Sequence, residues 1–517
     1  MDSHESPQHD LPHIAPKLRT DTLAASVTIL LAMTVAQRAI GFIRSILICR
    51  WLEPEDVGQW DMAFSFLMLA APLAVLAIPA CFGRYIEYYR QRGQLKMLLK
   101  RTGLVSILST LVAALVVLTF RDWFSDLIFG VPDMGDTVGL LAIALVISVS
   151  THFFIELLNA LRLIRILGVL QFMNSFLFAV LCVVLVLGWQ ATAVAIIIAY
   201  AGSCLIVTIG VFFRLAPSWK DIEVSGTVPT QGEFWRKISP YILWITITSL
   251  MSNLFTIADR YMIIHHSGGR FDAVQALQTV GVYFSSRIIP ALIVSVAIMF
   301  ANVILPHLSH DWEQGKHDRV KLRLNLFIKL LTPFLTAGGI MVLAFSWLIF
   351  DWALGGKYNE GLPILPMTLA YCIWSGMISV VSGYLLCAEK AKLGSLALVV
   401  GLVVNIILNL ILLPEYGLEG AVIATTIANV IALGIIIFFN YLFGFRNDYF
   451  ALLMLASPVL LFAFTPLFSQ QIAPLIAGLV LLAVTVAAWL SGQLFSDEEK
   501  TVLNDTLRRF LSRLKRG

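Results

Sequence analysis

Charge is scarce in this chain. Only 13% of its 517 residues are Asp, Glu, Lys or Arg, while 59% are hydrophobic and the mean hydropathy is +0.85. Soluble domains carry roughly 25% charged residues. A water-facing surface of the required size could not be covered by so few charges, so the chain is an integral membrane protein. Cysteine is sparse too. The six cysteines (Cys49, Cys81, Cys182, Cys204, Cys372, Cys387) stand singly among apolar neighbours. Without metal or redox spacing they read as small buried hydrophobes. The sequence has no GxxxxGK[ST] phosphate loop, no HExxH pair, no nucleophile elbow and no long polar stretch for a soluble catalytic domain. These absences argue against an enzyme, and no motif asks for a cofactor, a metal or a nucleic acid. Residues 1–20, "MDSHESPQHDLPHIAPKLRT", lack the apolar core of a secretory signal and read as a disordered cytoplasmic arm.

Long apolar runs are what the chain does have. A helix needs ~20 such residues to cross the hydrocarbon. Runs of that kind fall near 22–48, 58–80, 102–120, 137–160, 168–188, 190–213, 238–264, 276–304, 326–350, 362–387, 392–413, 417–443, 449–468 and 472–494. The expected fold class is therefore an all-α polytopic membrane protein with about 14 transmembrane helices. The break "PLFSQQIAP" at 466–474 leaves twelve or thirteen spans as alternatives. With the amino terminus placed in the cytoplasm, the inner segments hold 28 Lys and Arg, the outer segments four, and the spans themselves the remaining four. Positive residues stay inside, so both termini are expected in the cytoplasm of a multi-pass cytoplasmic-membrane protein. The cytoplasmic stretches "RYIEYYRQRGQLKMLLKR" and "DWEQGKHDRVKLRLNLFIK" read either as amphipathic surface helices on anionic membrane lipid or as topology signals alone.

The two halves echo one another. "LRLIRILGVLQFMNSFLFAVLCVVLVLGWQATAVAIIIAYAG" parallels "EKAKLGSLALVVGLVVNIILNLILLPEYGLEGAVIATTIANV", and Gly58 answers to Gly281. Spans 1–6 and 7–12 then form two pseudo-symmetric six-helix lobes facing a shared cleft, with two further helices appended. The expected organisation is an N-lobe over 21–215, a linker over 216–237, a C-lobe over 238–444, two helices within 445–495 and a basic tail over 496–517.

Both lobes open with a polar stripe. Thr34, Gln37, Arg38, Gly41, Arg44 and Ser45 fall within an arc of about 120° on span 1. Ser249, Ser252, Asn253, Thr256, Asp259 and Arg260 repeat that spacing on span 7. Lipid contact would leave such groups unsatisfied, so both faces should turn into the cleft. Span 8 adds Arg287, three residues before Pro290, where a kink is expected. The expected cavity set is thus Arg38, Arg44, Arg260 and Arg287 for an anionic headgroup, with Gln37, Asn253, Thr256 and Asp259 as polar lining. Guanidinium stays charged and matches phosphate oxygens in pairs, which is why arginine suits that ligand. His152, Glu156 and Asp259 are the groups able to carry a coupling H+ or Na+. Other readings stay open: snorkelling of Arg44 and Arg260 to headgroups, pairing of Glu156 with Arg162 or Arg165, a structural His152, and Asn405 and Asn409 as interhelical glue.

"RSILICRWLEPEDVGQW", "ADRYMII…VGVYFSS" and "LLPEYGLEGAVIATTIANV" resemble the polysaccharide-transporter branch of the multidrug/oligosaccharidyl-lipid/polysaccharide (MOP) export superfamily. The resemblance covers roughly residues 22–445. It implies two lobes of helices with alternating access to a basic cavity, and a Wzx-type flippase for a polyprenyl-pyrophosphate-linked oligosaccharide in surface polysaccharide (O-antigen-like) biosynthesis. It also implies partners such as glycosyltransferases and a polymerase, and it places Arg38, Arg44, Arg260 and Arg287 among the cavity charges. The span 7–8 connection, "HHSGGRFDAVQALQT", is longer than that family's usual link. The competing reading is a cation-coupled multidrug exporter of the same superfamily, whose cleft needs carboxylates. Only Asp259 and Glu156 offer themselves.

Overall fold

The computed structural model describes residues 23–219, 229–463 and 499–500. The amino-terminal arm, residues 220–228 of the 216–237 linker, the 472–494 span and most of the basic tail lie outside the described residues.

Among the described residues, eleven helices are long and apolar enough to cross a membrane, or twelve when one bent pair counts as a span. The first lobe comprises α1 (Leu23–Trp51), α2 (Pro54–Ala74), α3 (Phe82–Arg90), α4 (Leu95–Thr119), α5 (Arg121–Phe129), α6 (Gly135–Ala160), α7 (Ile164–Gly188) and α8 (Ala193–Leu215). The second comprises α9 (Gln231–His265), α10 (Ala273–Glu313), α11 (His317–Ala344), α12 (Leu365–Val381), α13 (Gly383–Cys387), α14 (Ala391–Tyr416) and α15 (Leu418–Leu442). Two short helices, α16 (Tyr449–Leu455) and α17 (Leu460–Ala463), begin the run read as the thirteenth span. Its remainder is outside the described residues.

The bent pair is α2 and α3, which meet at 60°. Pro72 lies in the last turn of α2, and Leu76 and Ala77 follow with φ of 51° and 45°. Two consecutive left-handed residues carrying side chains end the helix abruptly. Thr246 Oγ1 of α9 donates to the Leu76 carbonyl at 3.0 Å, satisfying an acceptor that the break exposes. Beyond the bend, α3 buries Phe82, Tyr85, Ile86 and Tyr89 against Phe234, Ile238 and Ile242 of α9. The apolar face of this first basic stretch is thus spent on the opposite lobe, which corrects its reading as a helix lying on lipid. The second stretch, from Asp311 to Lys329, is the end of α10 and the start of α11. Arg323 pairs there with Asp311, and Lys329 with Asp448 and Glu499.

α10 has 41 residues and stays helical through Pro290 and Pro306. At ~1.5 Å per residue it is about twice as long as the hydrocarbon is thick. Its first half packs on α2, and there the backbones touch. A Cβ on Gly58 would run into the Leu277 carbonyl, and a Cβ on Gly281 into the Pro54 carbonyl. The two glycines that match between halves of the sequence are therefore the two sides of one crossing. Gly58→Ala or Gly281→Ala should push the lobes apart at this end and lower stability by ~1–3 kcal/mol, the usual cost of overpacking. Thermal melting of the purified variants checks this, and an unchanged melting temperature would mean that the crossing is loose.

Candidate functional site

A cavity of about 360 Å³ lies between the lobes. α1 supplies Gln37, Arg38, Gly41, Arg44 and Ser45, five of the six residues in its polar stripe. α7 adds Asn174, Ser175 and Phe178, α2 adds Phe64 and α8 adds Tyr200. The second lobe closes it with Ile288, Ala291, Leu292 and Ser295 of α10. α1 is held in register by Ser175 Oγ donating to the Gln37 carbonyl at 3.3 Å. The lining rings Phe64, Phe178 and Tyr200 pack with Trp60 behind them, edge to face or tilted, with ring centroids 5.4–6.0 Å apart, and form a stiff wall.

Among the described residues the two arginines of α1 have no counter-ion. Arg44 lays its guanidinium on the Phe178 ring, 3.9 Å from the centroid, and its Nε is buried without an acceptor. Arg38 is exposed to the cavity mouth. Among the described residues neither has an ion pair or a hydrogen bond. No Asp or Glu lines the cavity. Buried or half-buried positive charge without a partner is costly in a low-dielectric setting, so the arrangement favours an anionic occupant.

Arg260 and Arg287 are placed differently. Both contact Asp61 Oδ2 of α2, Arg260 through Nε at 2.8 Å and Arg287 through Nη2 at 2.9 Å. Arg260 Nη1 also donates to Ser65 Oγ at 2.7 Å. Asp61 is 2% exposed and Arg260 7%. This clasp joins α2 to α9 and α10 next to the glycine crossing, and it withholds two of the four predicted arginines from the open cavity. Asp61 is missing from the expected cavity set, although it stands inside the 58–80 run. The available signal is an acid inside an apolar run, four residues before Ser65.

The span 7 stripe does not line the cavity either. Asn253 Nδ2 donates to the Met68 carbonyl of α2 at 2.9 Å, and Thr256 is exposed and bonds its own helix at Ser252. Asp259 turns into the second lobe. Its Oδ1 accepts from Asn405 Nδ2 at 2.9 Å and Asn409 Nδ2 at 3.4 Å, and its Oδ2 accepts from the Tyr283 hydroxyl at 3.0 Å. Tyr371 and Thr425 complete the network through Tyr283 and Asn405. Asp259 is 2% exposed, and among the described residues no cation stands within ion-pair distance. Neighbouring helical residues point about 100° apart, so Asp259 and Arg260 serve two different partners. On α6, His152 is exposed and Glu156 half-buried. Among the described residues no ion pair joins Glu156 to Arg162 or Arg165, and neither His152 nor Glu156 lines the cavity.

The fold has solved counterparts. The chain resembles the lipid II flippase MurJ in its inward closed conformation, with TM-score 0.65 and 14% identity, covering 90% of this chain and 100% of that one. A multidrug resistance MATE family transporter of the MOP superfamily, inward-facing, superposes with TM-score 0.61 and 14% identity over 80% of this chain and 97% of its own. A MOP superfamily transporter from Pyrococcus furiosus, described as having a binding pocket of reverse polarity, gives TM-score 0.59 and 14% identity over 81% and 95%. No curated protein sequence matches. A family model described as polysaccharide biosynthesis protein matches residues 23–312, more than half of the chain. The protein is a multi-pass membrane protein that shares the fold of these structures and belongs to the polysaccharide biosynthesis protein family.

Proposed function

We propose that the chain flips a polyprenyl-diphosphate-linked oligosaccharide across the cytoplasmic membrane, by alternating access, during surface polysaccharide (O-antigen-like) synthesis. The observation that carries this reading is the pair Arg38 and Arg44, uncompensated among the described residues, in a cavity whose described lining holds no carboxylate. A diphosphate supplies the missing negative charge and the acceptors for both guanidinium forks. At about 360 Å³ the cavity sits at the low end of the ~300–1,000 Å³ typical of ligand pockets. It suits a headgroup rather than a long glycan, so the sugar chain extends toward the mouth while the lipid chain stays in the bilayer. The multidrug alternative requires a lining that attracts cations, and the lining is basic.

Asp259 is the best placed of the three coupling candidates. Its carboxylate is buried among neutral donors, and among the described residues no cation pairs with it, so a coupling cation would find an uncompensated charge there. The expected membrane orientation has both termini in the cytoplasm, with glycosyltransferases delivering substrate there and a polymerase receiving it outside.

The reading is tested by deleting the gene and locating the lipid-linked oligosaccharide. It should accumulate on the cytoplasmic leaflet, with surface polysaccharide lost. Accumulation on the outer leaflet would place the protein after the flip and overturn the proposal. Unchanged polysaccharide with new drug sensitivity would favour the multidrug reading.

A further inference from the structure

We infer that Arg260, Arg287 and Ser65 form a second diphosphate site, occupied in this conformation by the protein's own Asp61 carboxylate. The inference rests on the diphosphate reading above and extends it to a second station for the headgroup.

The cluster has more donors than acceptors. Both ion pairs fall on the single oxygen Oδ2 of Asp61. Arg287 Nε is buried with no acceptor, and Arg260 Nε meets Asp61 without hydrogen-bond geometry. One carboxylate therefore faces two guanidinium groups, each with five N–H donors, and leaves a net positive charge. A diphosphate has more charge and more oxygens to offer than a carboxylate does.

The geometry also says when the exchange takes place. Asp61 and Ser65 belong to α2, while Arg260 and Arg287 belong to α9 and α10 of the other lobe. Separation of the lobes at the Gly58–Gly281 crossing pulls the carboxylate away from both arginines. The vacated site adjoins the cleft of Arg38 and Arg44, because Ser65 and Arg287 are chain neighbours of Phe64 and Ile288, which line it. A headgroup released by the α1 arginines has a matching pair to move to. When the lobes close again, Asp61 returns and expels it. Asp61 thus acts as an internal stand-in for the substrate anion.

Farnesyl diphosphate titrated against the purified full-length protein in nanodiscs tests the inference by stoichiometry. The wild type should bind one equivalent. Asp61→Asn, which keeps the side-chain shape and removes the charge, should bind two, and Asp61→Asn combined with Arg287→Gln should return to one. A single equivalent in Asp61→Asn would overturn the second site. Arg38→Ala combined with Arg44→Ala reports separately on the cavity. If that variant keeps its equivalent, the headgroup reading of the cavity fails while the Asp61 comparison still stands. Inorganic diphosphate in the same titration should show the same gain of one equivalent in Asp61→Asn. No gain would mean that the phosphates are not what the second site recognises, and would overturn the inference as stated. Should Asp61→Asn not fold, Ser286→Cys gives a second readout, since Ser286 is fully buried beside Arg287. Its labelling by a water-soluble thiol reagent should accelerate when the probe is added, over the background of the six buried native cysteines. Unchanged labelling would overturn the inference.

Discussion

Arg44→Glu is expected to cut export by about two orders of magnitude or more while leaving the protein in the membrane. Each charge-assisted hydrogen bond to a phosphate contributes ~1.5–3 kcal/mol, or about tenfold to a hundredfold in affinity. Reversal replaces that attraction with repulsion of the same anion. Arg44 is the more sensitive of the two α1 arginines. Its guanidinium is pinned on Phe178 and its Nε lacks an acceptor, so it is preorganised for a ligand. Arg38 is exposed at the mouth, where water screens it, and Arg38→Glu should cost less. Export is read as surface polysaccharide per unit of protein in the membrane fraction. Normal export from Arg44→Glu would remove the headgroup from this cavity altogether. Loss of the protein from the membrane would instead show that Arg44 is a folding residue.

The second large effect is expected at Asp259. In proteoliposomes with an imposed gradient, wild-type flipping should quicken with inward-directed Na+ or H+, and Asp259→Asn should not respond. The amide preserves the contacts to Tyr283, Asn405 and Asn409 in shape but not in charge. It removes the only reason for a cation to bind there. Farnesyl diphosphate binding should be unchanged, because Asp259 does not line the cavity. That separation distinguishes coupling from substrate binding. A variant that still follows the gradient would move the coupling group to Glu156 or His152, neither of which has a counter-charge among the described residues. A variant that loses binding as well would mean that the network shapes the cavity through α10.

Several features of the fold and the site are legible in the residues alone. The span 1 stripe turns into the cavity nearly whole because helical periodicity decides which residues share a face, and lipid on the other side leaves polar groups one place to go. Gly58 and Gly281, matched between the two halves of the sequence, meet at one helix crossing. The span 7 stripe has the same spacing and a different fate. Asn253 reaches across to α2, Asp259 sinks among α10, α14 and α15, and Thr256 is exposed. Spacing places residues on a helix face; the helices that flank it determine what the face meets. The second lobe packs α14 against α9 where the first packs α7 against α1, and in the former Asn405 and Asn409 wait for Asp259.

That this chain lives in a bilayer, that its spans form two related sets and that arginines stand inside them all follow from the order of its residues. These are consequences of composition and local period, which are properties of neighbours along the chain. Which arginines are free is settled by packing in three dimensions. Asp61 and Arg287 are 226 residues apart, and Ser65 and Arg260 are 195 apart. Charge compensation acts through space at a few ångströms, and no local pattern records which distant carboxylate will arrive.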